Sequence, residues 1–312
     1  MNYNNIVSSK ELRFKILDMF CWVPDEPWLK LLYRIKNGYW MDFKNPKTFN
    51  EKLQWLKIHG FRPEYTQMVD KCGVKDYVTN KIGAEYVIPT FGVWDKPEDI
   101  EWEKLPNEFV LKTTTGGGGF GVWIVRDKNS FDREKFFNEV YARYPKIGKP
   151  YKKHINAFRE HPYDGVQERI LAEEILKVDG QEVDLEDYKF YCFNGEPQYC
   201  QVIRNRSTEE TIDFYDMNWK HMPFVGLNTA CKNGKTSVPC PSKLEDMKRI
   251  CRELSKNIPF VRIDLYQVNG NVYFGEITFY PASGFGTFSP KEWNMKLGDL
   301  LKLEDKARYE YS

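Results

Sequence analysis

Residues 111–125 read LKTTTGGGGFGVWIV: an apolar run ends at Lys112, three threonines and the four glycines Gly116–Gly119 follow, and Val122–Val125 restores an apolar run. The β-branched and aromatic flanks make this a strand, a loop and a second strand, from about Glu108 to Leu111 and from Val122 to Val125. The spacing Gly116-x-Gly118-x-x-Gly121 fits a dinucleotide fingerprint, but that site needs a helix N-terminus after the loop, and VWIV is a strand. A Walker A loop needs Gly-Lys-Ser/Thr at its end, whereas Val122 and Trp123 follow Gly121. A protein-kinase flap shares the strand–loop–strand form, yet no H-R-D or D-F-G triplet occurs. What remains is a flap whose lysine precedes the loop. Lys112 would then approach the α- and β-phosphates, the threonines would add hydroxyl donors, and free backbone N–H groups would wrap the triphosphate. On these residues alone a plain turn fits equally well.

The C-terminal stretch FVRIDLYQVNGNVYFGEITF, residues 260–279, favours the phosphate reading. Its Asn269-Gly270 pair marks a hairpin, as Asn194-Gly195 does in YKFYCFNGEPQYCQV. Asp264 and Glu276 place carboxylates on neighbouring strands, which suits a hard cation such as Mg²⁺. Register constrains this site. A two-residue turn sets Asp264 opposite Gly275 and turns Glu276 to the other face. A shared site therefore needs a three-residue loop or a bulge. The expected geometry is Val268-Asn269-Gly270 as a type I turn with Gly270 left-handed.

The remaining sequence organises around these two pieces. Thr48-Phe49-Asn50-Glu51 is a capping box opening a helix that Gly60 stops, and a second helix is expected over about 74–82. Ser130 is placed to cap a helix through Tyr141, ended by Pro145, and Ser242-Lys243-Leu244-Glu245 reads as another capping box. The expected organisation is α+β with antiparallel hairpins: a mostly helical region over 1–70, a lid with the glycine flap over 71–176, and a metal-binding lobe over 177–312.

With 312 residues, 41% apolar and 29% charged, the chain has an ordinary globular composition. Its 46 basic and 45 acidic residues leave +1, no field for steering onto nucleic acid. None of the seven cysteines is spaced C-x-x-C, so reduced thiols and a cytoplasmic setting are expected. No signal-like start and no membrane-length apolar run occurs. The stretch WLKLLYRIKNGYW, Trp28–Trp40, fits a helix touching a membrane surface or a core-packed helix, and the second is preferred.

From about Phe49 to Leu303, the pieces TFNEKLQWLK, VDKCGVKDYV, FVLKTTTGGGG, ILAEEIL, DYKFYCFNGEP and FVRIDLYQVNGNVYFGEITFYPASGFG resemble the TupA-like group of ATP-grasp ligases, named for teichuronopeptide biosynthesis. The resemblance implies an ATP-grasp fold, two α+β lobes clasping ATP. Lys71, Lys112 and Lys189 would contact ATP phosphates, and Thr115, Gly116, Gly117, Gly118 and Gly119 would form the flap. Glu173 would accept the adenine amino group, with backbone around Glu174, Ile175 and Leu176 on the ring edge. Asp264 and Glu276 would bind Mg²⁺. Thr278 stands where the family commonly has Asn, and its hydroxyl would serve as a ligand or hold a water. Arg262 would steady the transferring phosphate and, with Lys112, act in catalysis. The implied reaction joins a carboxylate to an amine through an acyl phosphate. The group's link to surface polysaccharides points to a uronic acid and an amine or amino acid. Arg204, Arg206 and Arg159 are candidates for holding a substrate carboxylate. A sugar phosphotransferase and a glycosyltransferase are the alternatives; the latter typically carries a D-x-D triplet, which is absent here.

Overall fold

The structure, a computed structural model, describes residues 19–20, 22–117, 120–145, 147–150, 157–180, 183–206, 208–228 and 230–303. Helix α1 (Asp25–Asn37), α2 (Phe49–His59), α3 (Tyr65–Val69) and α4 (Gly73–Ile82) come first. The capping box opens α2 as expected: Thr48 Oγ1 accepts from Glu51 N at 3.3 Å, and Glu51 Oε2 accepts from Thr48 N at 2.9 Å. Helix α1 is core-packed, burying Trp28, Leu29, Leu32 and Tyr33, while Trp22, Leu31, Ile35 and Trp40 stay exposed.

Strands β1 (Thr90–Trp94), β2 (Phe109–Thr113), β3 (Val122–Val125) and β4 (Ile170–Glu173) form an antiparallel sheet in the order β1-β4-β2-β3. Helix α5 (Arg133–Arg143) packs Phe136 and Val140 into its small core with Ile100, Trp102, Phe109, Leu111 and Val125. The cap of α5 is Asp132, not Ser130. The Asp132 carboxylate accepts from Lys135 N at 2.9 Å, while the Ser130 hydroxyl turns back to Asp127 O.

A six-stranded antiparallel sheet carries β5 (Asp187–Phe193), β6 (Glu196–Arg204), β7 (Thr211–Asp216), β8 (His221–Met222), β10 (Phe260–Val268) and β11 (Asn271–Thr278) in the order β11-β10-β5-β6-β7-β8. Beside it β9 (Val225–Leu227) pairs with β12 (Thr287–Ser289). Helix α6 (Leu244–Ser255) lies on β5, β6 and β10 and buries Met247, Ile250, Cys251 and Leu254. The helix begins one residue later than expected, with Lys243 in the cap position, so no side-chain cap forms and the expected Ser242 capping box is not made; Lys243 N instead donates to Gln267 Oε1 at 2.9 Å. From the other side, α2 sets Phe49 against Tyr191, Phe193 and Phe260, and α7 (Trp293–Leu300) closes over α2.

Two large cores result, beside a small cluster of Trp28, Leu32 and Ala157. Val74 and Val78 of α4 belong to the larger core, so packing draws residues 73–82 toward the six-stranded sheet, and the core of the four-stranded sheet begins at Ile100. Among the described residues no helix is long and apolar enough to cross a membrane.

Candidate active site

Alternation along β10 sends Arg262 and Asp264 to one face and Val261, Ile263 and Leu265 to the other, where they are wholly buried. Pairing with β5 sets Lys189 opposite Asp264. Pairing with β11 sets Glu276 opposite Asp264 and Thr278 opposite Arg262. The turn that delivers this register differs from the expected one. Asn269 and Gly270 are both left-handed, φ 49° and 78°, and Val268 pairs with Asn271, a two-residue turn whose twist suits the strands. A bulge supplies the shift instead. Leu265 pairs with Phe274 and Asp264 with Glu276, leaving Gly275 as the extra residue. A Cβ there would lie 2.9 Å from Tyr266 Cε2 and 3.1 Å from the Asp264 carbonyl oxygen, tight enough to displace one of them.

The side chains on this face form a line of alternating charge. Arg206 donates to Asp187 at 2.6 Å, and Asp187 faces the Lys189 ammonium at 2.8 Å. Lys189 donates to Asp264. Arg262 grips Asp264 with both arms of its fork, at 2.7 and 2.8 Å, and reaches Thr278 Oγ1 at 3.0 Å and Glu276 Oε2 at 3.9 Å. Lys71 Nζ stands 3.7 Å from Glu276 Oε1 and donates to the carbonyl of Gly116 in the flap. Burial would raise the Asp264 carboxyl, but the Arg262 and Lys189 cations outweigh it and hold it below the usual carboxylate range. Burial likewise opposes the Arg262 charge, and the Asp264 carboxylate more than restores it.

On the lid side, Glu173 at the end of β4 sits between two lysines. Lys75 Nζ is 2.6 Å from Oε1, and Lys112 Nζ pairs with Oε2. Burial pushes the Glu173 carboxyl up, and the two ammonium groups overcome it and set it below its ordinary value. Lys75 also donates to Ile88 O at 2.7 Å. Beyond Glu173 the chain bonds back through Glu174 N to Pro89 O at 3.0 Å, and Ile175 and Leu176 are half-buried.

At the flap, Thr113 N donates to Gly121 O at 2.9 Å and Gly116 N to Thr113 O at 3.3 Å. Thr115 Oγ1 donates to Glu168 at 3.0 Å. A Cβ on Gly116 would lie 2.5 Å from Phe120 O, whereas one on Gly117 would meet nothing within 4 Å. Gly118 and Gly119 lie outside the described residues.

Lys71, Gly116, Lys189, Arg206, Arg262, Asp264, Glu276 and Thr278 are thus brought together, with Lys112 and Glu173 paired on the lid. Arg204 lies off this line, bound to Asp213 at 3.3 Å and Thr236 O at 2.8 Å. Arg159 does not serve as a substrate clamp. Its side chain is buried, 2.8 Å from Asp25 and bonded to the carbonyls of Phe20 and Val23, where it anchors the start of α1. Asp187 and Lys75 were not singled out from sequence. The D-x-K alternation of DYKF puts Asp187 on the Lys189 face, and Lys75 follows Lys71 by one helical turn.

The donor set fits Mg²⁺, which takes one or two carboxylates and completes its shell from phosphates and water. Asp264 and Glu276 are paired strand neighbours with the Thr278 hydroxyl beside them. Of the two, Glu276 is the accessible one, its side chain 31% exposed against 2% for Asp264.

Two antiparallel sheets linked through Lys71, with a glycine flap on one and paired acidic strands on the other, are the arrangement of an ATP-grasp fold. The chain belongs to the TupA-like ATP-grasp family, whose model matches residues 51–302. It is similar to solved ligases at low identity. D-alanine–D-alanine ligase from Bacillus anthracis is 17% identical with a TM-score of 0.45, over 77% of this chain and 68% of that one. The same ligase complexed with ATP gives 16% and 0.43, over 77% and 65%. A RimK domain protein ATP-grasp from Sphaerobacter thermophilus gives 13% and 0.40, over 76% and 69%. The chain therefore spans about two thirds of the length of these ligases. The search of curated proteins returned no match.

Proposed function

We propose that this enzyme uses ATP to join an amine or amino acid to the carboxylate of a uronic acid in a surface glycan or its precursor, on the cytoplasmic side where ATP is supplied. The observation that carries the reading is Lys71, which touches the flap at Gly116 and lies beside Glu276. One ammonium thereby spans the place where a triphosphate meets both lobes.

The substrate carboxylate attacks the γ-phosphorus, ADP departs, and an acyl phosphate forms. The amine attacks its carbonyl carbon, the bond to phosphate breaks, and the amide is released. Lys71 and Lys112 neutralise the nucleotide, and Arg262, set by Asp264, faces the charge that develops on the transferring group. Mg²⁺, held by Asp264, Glu276 and Thr278, supplies further charge neutralisation when bound. Lys189 stands next along the same strand face. Glu173 holds Lys75 and Lys112 at the nucleotide's edge, with the backbone of Glu174–Leu176 beside the adenine. Arg206, at the exposed end of the charged line, is the better placed of the two arginines for a substrate carboxylate, since Arg204 is held by Asp213 and Thr236 O. Thr115 and Gly116–Gly119 cover the phosphates and keep water off the acyl phosphate.

The test is ATP turnover with uronic acids and amino acids, followed by mass spectrometry. The expected product is the joined pair less one water. Lys112→Ala and Glu276→Ala each abolish it, and turnover surviving both overturns the site. A phosphorylated sugar formed without any amine would instead establish the phosphotransferase.

A further inference from the structure

Beside the charged line lies a second polar cluster that the ATP site does not use. Immediately past β11 the chain makes a turn in which Ala282, Ser283 and Gly284 are all left-handed, φ 48°, 53° and 65°. For Ala and Ser that conformation costs on the order of 1–2 kcal/mol each, so the surroundings must enforce it. They do so from α2. Asn50 donates to Gly286 O at 2.7 Å, Gln54 to Ser283 O and Gly284 O at 3.1 and 2.8 Å, and Lys57 to Ser283 O at 2.9 Å. Lys57 is fully buried and also donates to Phe158 O at 2.8 Å, over the rings of Tyr280 and Phe285. The Ser283 hydroxyl, presented by this strained turn, donates to the carboxylate of Glu160.

Glu160 is half-buried, so part of it still meets solvent. Its charged surroundings are Lys57 from α2, with Lys36 of α1 and Arg159 acting on that lysine, and Glu276 of β11. Resting on the ligase reading above, we propose that Glu160, oriented by Ser283 and Lys57, receives the ammonium of the amine substrate and takes its proton. An arriving amine is a cation at neutral pH and is no nucleophile until it loses that proton. One N–H bond breaks and one O–H bond forms on Glu160. The freed lone pair attacks the acyl-phosphate carbon, the C–O bond to phosphate breaks, and the proton shed as the amide forms leaves with the phosphate. Burial raises the Glu160 carboxyl, Lys57 and Ser283 draw it back only in part, and Glu276 raises it further, a direction that favours its taking up a proton.

Hydroxylamine separates this role from all others, because it is already uncharged near neutral pH and needs no base. The probes are D-glucuronate with ATP and Mg²⁺, and as nucleophile either hydroxylamine or pooled L-amino acids. Glu160→Gln is expected to keep hydroxamate formation within about twofold and to lower amide formation about 10²–10⁴-fold. Its residual amide rate should climb roughly tenfold per pH unit as free amine accumulates. Equal loss of both products, or loss of neither, overturns the role of Glu160. Wild-type enzyme that makes hydroxamate but no amide from any pool overturns the amine site. Wild-type enzyme that makes neither overturns the uronate ligase on which the proposal rests.

Discussion

Glu173 shows how one carboxylate can set two cations. Lys75 and Lys112 come from different elements, α4 and β2, and each would repel the other without the charge between them. Glu173→Gln keeps the shape and removes that charge. Breaking a largely buried pair by removing one partner costs on the order of 3 kcal/mol, tempered here by the partial exposure of both lysines. Urea denaturation should show that loss in the midpoint with the slope unchanged. Nucleotide affinity should weaken in the same variant, since Lys112 is no longer held at the flap. A variant with wild-type stability and wild-type ATP affinity would remove Glu173 from the site.

At the scale of elements, the bulge at Gly275 decides whether Asp264 and Glu276 share a face, as the proposed metal site requires. Gly275→Ala forces a Cβ against Tyr266 and the Asp264 carbonyl, and the crowding is expected to cost about 1–3 kcal/mol. Because the strain falls between Asp264 and Glu276, Mg²⁺-dependent ATP turnover should drop more than tenfold, read from the Mg²⁺ concentration dependence. Unaltered Mg²⁺ dependence would mean that the bulge does not set the site. That hairpin also marks the limit of what sequence conveys. Need for an even register was legible from Asp264, Glu276 and the period of two, and strand β3 and the Thr48 capping box were legible from local pattern. The device that supplies the register was not, because Asn-Gly prefers a two-residue turn and a bulge leaves no mark except a glycine. The Ser242 cap is not made because the helix starts one residue later, at Leu244, where Lys243 N donates to Gln267, 24 residues away. Lys189 and Asp264 are 75 residues apart, so their pairing depends on strand order rather than local spacing.

Two features belong to the whole molecule. One is the tie between α1 and the body, where His161 bonds Asp25 and Asp164, both at 2.8 Å. Burial would lower this imidazole, but the two carboxylates raise it from 6.5 to about 9. A raised value means stabilisation that is complete below the unfolded value and fades as pH climbs through the folded one. Stability should therefore decline between about pH 6.5 and 9, by roughly 1–2 kcal/mol once partial exposure is discounted, and His161→Gln should flatten that slope in denaturant midpoints.

The other is the division into two cores. The lid core, from Ile100 to Ala172, shares no residue with the larger one. A small four-stranded sheet with its own core is free to open at lower cost than the six-stranded lobe, and partial unfolding follows such boundaries. Trp94, Trp102 and Trp123 pack on the lid core, and Trp55 and Trp293 on the other. Denaturation followed by hydrogen exchange should show the lid strands β2 and β3 opening before β5 and β10. At the proposed site a non-hydrolysable ATP analogue with Mg²⁺ would contact both lobes, so at a hundred times its dissociation constant it should stabilise the lid by about 2.7 kcal/mol and bring the two openings together. Lys71 is one of the side chains that span the lobes, beside the Lys75–Glu173 and Arg169–Asp70 pairs, and Lys71→Ala should weaken the analogue's power to bring the openings together. Coincident openings without any nucleotide would show instead that the two cores unfold as one.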